Sequence, residues 1–173
     1  RCIYWLECPN HEVKTKSWNL HWISRDFTGT HCISIHDVDK NGNRDIIVNN
    51  FYPPGHGIEK NWPNHYPNSI MWFSVPDDPR DEKAWHANLI ADGDAIGGSH
   101  YIGFGDINGD GHDECLAGAK GDPFEGGDHY AYWTRGSEVT APWTKTMLDE
   151  QTGATHVYGA DLNLDGQTDM IAS

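Results

Sequence analysis

One spacing occurs three times in this chain and restricts its folding more than any other feature. Asp37-x-Asp39-x-Asn41-Gly42-x-x-Asp45, Asp106-x-Asn108-x-Asp110-Gly111-x-x-Glu114 and Asp161-x-Asn163-x-Asp165-Gly166-x-x-Asp169 place oxygen-bearing side chains at positions one, three, five and nine, with glycine at six. Side chains two residues apart can turn inward around one hard cation, and glycine permits the sharp turn that a Cβ would obstruct. Position seven (Asn43, His112, Gln167) completes the candidate ligand set. The ion implied is Ca2+. A helical calcium hand needs a bidentate Glu at position twelve, where this chain has Val48, Ala117 and Ala172, so that alternative is rejected. Each loop follows a short alternating apolar run (HCISIHD, HYIGFGD, HVYGAD) and leads into another (DIIVNN, DECLAGA, DMIAS). Period-two alternation marks strands, so the unit is strand, cation loop, strand.

The loops belong to a longer repeat. Ile3-Tyr4-Trp5-Leu6, Ile70-Met71-Trp72-Phe73 and Ala131-Tyr132-Trp133-Thr134 are one strand type. A second set pairs a Trp with an aliphatic five residues on: Trp18 with Ile23, Trp85 with Ile90, Trp143 with Leu148. Before each cation strand stands Gly29-Thr-His31, Gly98-Ser-His100 or Gly153-Ala-Thr-His156. With a and b the strands around the cation loop, c the Tyr-Trp or Met-Trp strand and d the Trp-led one, the chain reads c-d, a-b-c-d, a-b-c-d, a-b. Four short strands per unit is the content of a propeller blade. The expected fold class is therefore an all-β propeller of four-stranded blades with Ca-binding a–b loops. About three blades are expected here, a fragment of a ring of about seven: a partial blade at 1–28, blades at 29–91 and 92–150, and a partial blade at 151–173. Three blades cannot close a ring, since propellers use ~4 to 8. The remainder is expected from a longer chain or a second copy.

The formal charge of −14 argues against a nucleic-acid partner, which demands clustered Lys and Arg. Ten of the 26 acids lie in the three loops, and three divalent ions there would bring the charge to −8. No run approaches the ~18 apolar residues of a membrane span. Cys2 and Cys8 bracket one extended run and would sit ~20 Å apart, too far for a bridge. Cys32 and Cys115 read as buried thiols. Abundant extracellular calcium fills even weak sites, so the expected location is secreted.

The repeated loop at blade length resembles the FG-GAP/VCBS repeat propellers, a class that includes integrin-type adhesion heads, fungal lectins and carbohydrate lyases. The Trp-rich blade with Ser/Thr-His before the cation strand, as in GGSHYIGFGDINGDGHDE, is most similar to the propeller of fungal aldos-2-ulose dehydratases and related seven-bladed polysaccharide lyases. The cupin domains that accompany it in the dehydratases have no counterpart in these residues. Glu114 in place of Asp, with Asp113 beside it, leaves two candidates for the last ligand of the second loop.

Propeller topology puts a–b and c–d loops on one face and b–c and d–a connections on the other. The cation loops thus lie opposite His31, His100 and His156. The long b–c loop from Asn49 to Asn68 brings Tyr52, His56, Trp62, His65 and Tyr66 to that second face, and the next b–c loop brings His129 with Asp122, Glu125 and Asp128. Aromatic faces and polar tips suit a carbohydrate ligand. A histidine can also abstract a proton α to a carbonyl or carboxylate. Two functions are expected from this pattern. One is a lyase or dehydratase performing β-elimination on a sugar, with His100, His31 or His156 as base, Tyr101 or Tyr66 as acid, and His56, His65, Trp62, Tyr52 and His129 holding the substrate. The other is a non-enzymatic lectin, adhesion or structural module, in which the repeated histidines serve packing or a site repeated once per blade. Trp5, Trp72 and Trp133, like Trp18, Trp85 and Trp143, read as core between blades. His36, His86 and His112 read as surface or loop residues.

Overall fold

The computed structural model describes residues 3–9, 17–27, 30–50, 69–92, 101–119, 129–149, 154 and 156–173, of which 119 and 129–131 by backbone alone. Twelve strands follow in order: β1 Ile3–Glu7, β2 Asn19–Ser24, β3 Thr30–His36, β4 Asp45–Asn50, β5 Ile70–Ser74, β6 His86–Ala91, β7 Ile102–Gly105, β8 Glu114–Ala119, β9 His129–Thr134, β10 Thr144–Asp149, β11 Val157–Ala160 and β12 Asp169–Ala172. They form two four-stranded sheets, β3-β4-β5-β6 and β7-β8-β9-β10, and two two-stranded ones, β1-β2 and β11-β12. All pairs are antiparallel and join sequence neighbours. The chain is all-β, and its four-stranded meanders are blades of the β-propeller kind.

Each cation hairpin closes in the same register. The residue before position one faces position nine: His36 opposite Asp45, Gly105 opposite Glu114, Ala160 opposite Asp169. Repetition of the spacing in sequence is thus repetition of one hairpin in space.

The core lies between sheets. β5 is buried along Ile70-Met71-Trp72-Phe73 because its two faces meet different neighbours, which is why this strand shows an unbroken apolar run instead of alternation. Ile70 and Trp72 pack with Cys32 and Ile47 against Ile102, Cys115, Ala117 and Trp133 of the next sheet. Met71 and Phe73 pack with Val48 and Trp85 against Ile3, Ile23 and Phe27. Each of the buried Ile, Val, Met and Phe side chains contributes roughly 1.5–3 kcal/mol by leaving water. The leading strands β7 and β11 come so close that a Cβ on Gly105 would stand 3.1 Å from Gly159 Cα, and one on Gly103 would run into the Val157 carbonyl. Glycine is required there for space rather than for backbone angle.

Tryptophan also ties turns. Trp85 Nε1 donates to the Pro79 carbonyl (3.1 Å), Trp143 Nε1 to Val139 (3.1 Å), and Trp5 Nε1 reaches Pro79 from the neighbouring sheet (3.3 Å). Trp18 departs from the expected core role, being 44 % exposed. The positions that would correspond to Val139 and Pro79 fall in residues 10–16, outside the described residues. Cys32 and Cys115 are buried free thiols, and Cys8 is exposed. Burial pushes both buried thiols up, which keeps them protonated. Among the described residues no helix is long and apolar enough to cross a membrane.

Candidate cation sites

The three loops repeat one hydrogen-bond scheme. At position one, Asp37, Asp106 and Asp161 each accept through Oδ2 from the position-six glycine N–H, at 3.0, 2.9 and 2.8 Å. At position three, Asp39, Asn108 and Asn163 accept through Oδ1 from the N–H two residues on, at 3.1, 2.8 and 3.0 Å. At position five, Asn41, Asp110 and Asp165 do likewise from the position-seven N–H, at 2.7, 2.8 and 2.9 Å. These Asx turns coil the backbone about the side chains and leave oxygen lone pairs on the inside. Position nine reaches back: Asp45 accepts from Val38 N–H (2.8 Å), Glu114 from Ile107 (2.8 Å) and Asn108 (3.2 Å), Asp169 from Leu162 (3.0 Å). Gly42, Gly111 and Gly166 have φ of 90°, 85° and 86°, a region that side chains resist. Position four is left-handed too, at Lys40 (59°), Gly109 (75°) and Leu164 (63°).

Among the described residues, the first loop alone draws three acidic ligand atoms together. Ligand atoms of Asp37, Asp39 and Asp45 all lie within 4.8 Å of one another. Asp45 is fully buried, and Asp37 Oδ1 and Asp45 Oδ1 are buried with no hydrogen-bond partner. Burial, seconded by the charges of Asp39 and Asp37, pushes the Asp45 carboxyl up. Burial likewise pushes Glu114 up, with Asp110 and Asp106 adding to it. Unpaired buried oxygens beside like charges are costly on their own, and a cation among them would satisfy both oxygens and charge. The donors are all oxygen, the set that hard cations prefer.

Glu114, fully buried, occupies position nine of the second loop. Asp113 turns away, its Oδ2 2.8 Å from His36 Nε2, leaving Glu114 as the acid that faces the loop. His36 is accordingly no ordinary surface residue: its ring also stacks on Phe104 at 4.2 Å and 6°, linking two sheets. At position seven the His112 imidazole is directed elsewhere, its Nε2 accepting from Arg135 Nη2 at 2.9 Å.

The strands β3, β7 and β11 begin at the end opposite the cation loops. There the Tyr101 and His156 rings stack at 3.8 Å and 15°, with Tyr101 43 % exposed. His156 is fixed at the head of β11 by two backbone bonds with Ser173 (3.2 and 3.1 Å). His31, exposed on β3, lines a recess of about 380 Å³ with Ile3, Tyr4, Thr30 and Ile33. His100, Tyr66, His56, His65, Trp62 and Tyr52 lie outside the described residues, as do Asp122, Glu125 and Asp128; His129 opens β9 and is described by its backbone only. The structure therefore joins Tyr101 to His156 and places His31 at the same end of a neighbouring blade. Sequence reading missed position four and the His36–Asp113 pair. Neither leaves a local signal, because Lys and Leu are not turn residues and the pair spans two blades.

Residues 106–172 match the family model described as an FG-GAP-like repeat. That stretch runs from the second cation loop through the third and supports a propeller-type repeat; it stops short of the narrower likeness to dehydratase propellers. A comparison with curated proteins finds no match.

Proposed function

We propose that the chain serves as a calcium-stapled propeller module. The observation that carries this reading is Asp45 Oδ1, buried and without a partner next to Asp37 and Asp39. Asp37, Asp39, Asn41 and Asp45 would hold one ion. Asp106, Asn108, Asp110 and Glu114 would hold a second, and Asp161, Asn163, Asp165 and Asp169 a third, each with the position-seven residue (Asn43, His112, Gln167) contributing its backbone carbonyl. When bound, Ca2+ supplies positive charge and a cross-link between the two arms of a hairpin. The protein's own side chains do the rest: they accept from loop N–H groups and hold the hairpin closed. A secreted setting accords with this reading, since extracellular calcium fills weak sites. Metal content of the purified chain after dialysis against calcium tests it. Three calcium ions per chain are expected, and a chain that retains none would contradict the assignment.

A second reading, favoured by the Tyr101–His156 stack, is a carbohydrate-active lyase at the end opposite the cation loops. In it His156, His100 or His31 would take the proton α to a sugar carboxylate or carbonyl, and Tyr101 or Tyr66 would protonate the leaving oxygen. Tyr52, His56, Trp62, His65 and His129 would hold the ring. β-Elimination creates a conjugated double bond, so incubation with acidic polysaccharides followed by ultraviolet absorbance reads it directly. Absorbance that grows with the native chain and not with His156→Ala, at unchanged melting, supports the lyase. No growth with the native chain leaves a lectin, adhesion or structural module.

A further inference from the structure

The first two cation loops are fastened to each other by a Lys–carbonyl bond and a His–Asp pair that, among the described residues, are not repeated between the second and third. Lys40, at position four of the first loop, donates from Nζ to the carbonyl of Gly111, the position-six residue of the second. His36, immediately before Asp37, pairs with Asp113, immediately before Glu114, at 2.8 Å, and its ring lies flat on Phe104. The residues that would repeat this bridge toward the third loop are Gly105 and Gly109, which have no side chains. The third loop's counterpart of Asp113 is Thr168, whose methyl fills the space beside Gly105.

We propose that cation binding at the first and second loops is cooperative through this bridge, while the third loop binds independently. The proposal rests on the calcium reading above. A cation drawn to Asp37, Asp39 and the unpartnered Asp45 Oδ1 fixes the backbone on both sides of Asp37. His36 and Lys40 are then held in place. They in turn hold Asp113 and the Gly111 carbonyl, so part of the ordering that the second loop requires is already met. Such coupling is reciprocal: the second ion must strengthen the first by the same factor.

The test is a calcium titration of the metal-stripped, isotopically labelled full chain, following the amide signals of Gly42, Gly111 and Gly166, one per loop. Gly42 and Gly111 should move together along a curve steeper than single-site binding, and Gly166 along a simple one. Asp39→Asn should raise the Gly111 midpoint about fivefold or more and leave Gly166 in place. Lys40→Met combined with Asp113→Ala removes both polar arms of the bridge without changing a ligand, and should make Gly42 and Gly111 titrate independently. A Gly111 midpoint unmoved by Asp39→Asn, or a steep paired curve retained in the double variant, would overturn the coupling and leave the calcium reading standing. Three glycine signals indifferent to calcium would overturn the calcium reading itself.

Discussion

Asp45 shows what a single residue in these loops both costs and contributes. Its folded pKa lies above the ordinary value of 3.8, chiefly through burial, so in metal-free protein its ionised form opposes folding. The penalty is absent below pH 3.8, grows as pH rises toward the raised value, and is complete above it. Asp45→Asn should therefore leave metal-free protein equally or more stable at neutral pH, while weakening calcium binding at that loop about tenfold, or ~1.4 kcal/mol. Opposite signs in the two states, read by melting with and without calcium, separate a ligand from a merely structural carboxylate. A loss of stability in both states would point to structure alone. Positions one, three, five and nine were legible from sequence because a cation loop needs particular side chains at particular steps. Position four was not, since its requirement is a backbone angle that Lys40 and Leu164 adopt without advertising it. His36 was unreadable for another reason: its partner, Asp113, belongs to the next blade.

At the scale of elements, two kinds of glycine make different predictions. Gly42 has open space around its missing Cβ but a φ of 90°, so Gly42→Ala should cost about 1–2 kcal/mol through the backbone alone. Gly103 has no such angle, yet a Cβ there meets the Val157 backbone. Gly103→Ala forces β7 and β11 apart and should cost ~3 kcal/mol or more, the upper end for overpacking. Chemical denaturation of both variants checks the order; equal or reversed costs would show that the β7–β11 approach is not a tight one. Tryptophans separate in the same way. Trp72→Ala, at a site 2 % exposed, should cost about 3–5 kcal/mol, and Trp18→Ala no more than ~0.5 kcal/mol. Strand order and hairpin register were readable because period-two alternation and repetition reinforce one another. The role of Trp18 was not, because repetition assigned it the buried environment of Trp85 and Trp143, whereas it is half-exposed.

Across the whole molecule, stability is divided between apolar packing, which joins one sheet to the next, and the loops, which close one end of every a–b hairpin. Packing needs nothing from solution. The loops of the first two hairpins bury Asp45 and Glu114 completely and bring Asp37 and Asp39 beside Asp45, a gathering of like charge that a cation would neutralise. Among the described residues the order of strands into four-stranded sheets was legible from three spacings and the repeated tryptophans. The face opposite the loops was less so, because the residues expected to form it lie mostly in b–c connections that follow no repeat. Thermal unfolding in excess calcium, then in chelator, and again after calcium is restored tests the stapling most directly. A midpoint that falls by about 5 °C or more with chelator and returns with calcium is the predicted result; the same midpoint under all three conditions would contradict it.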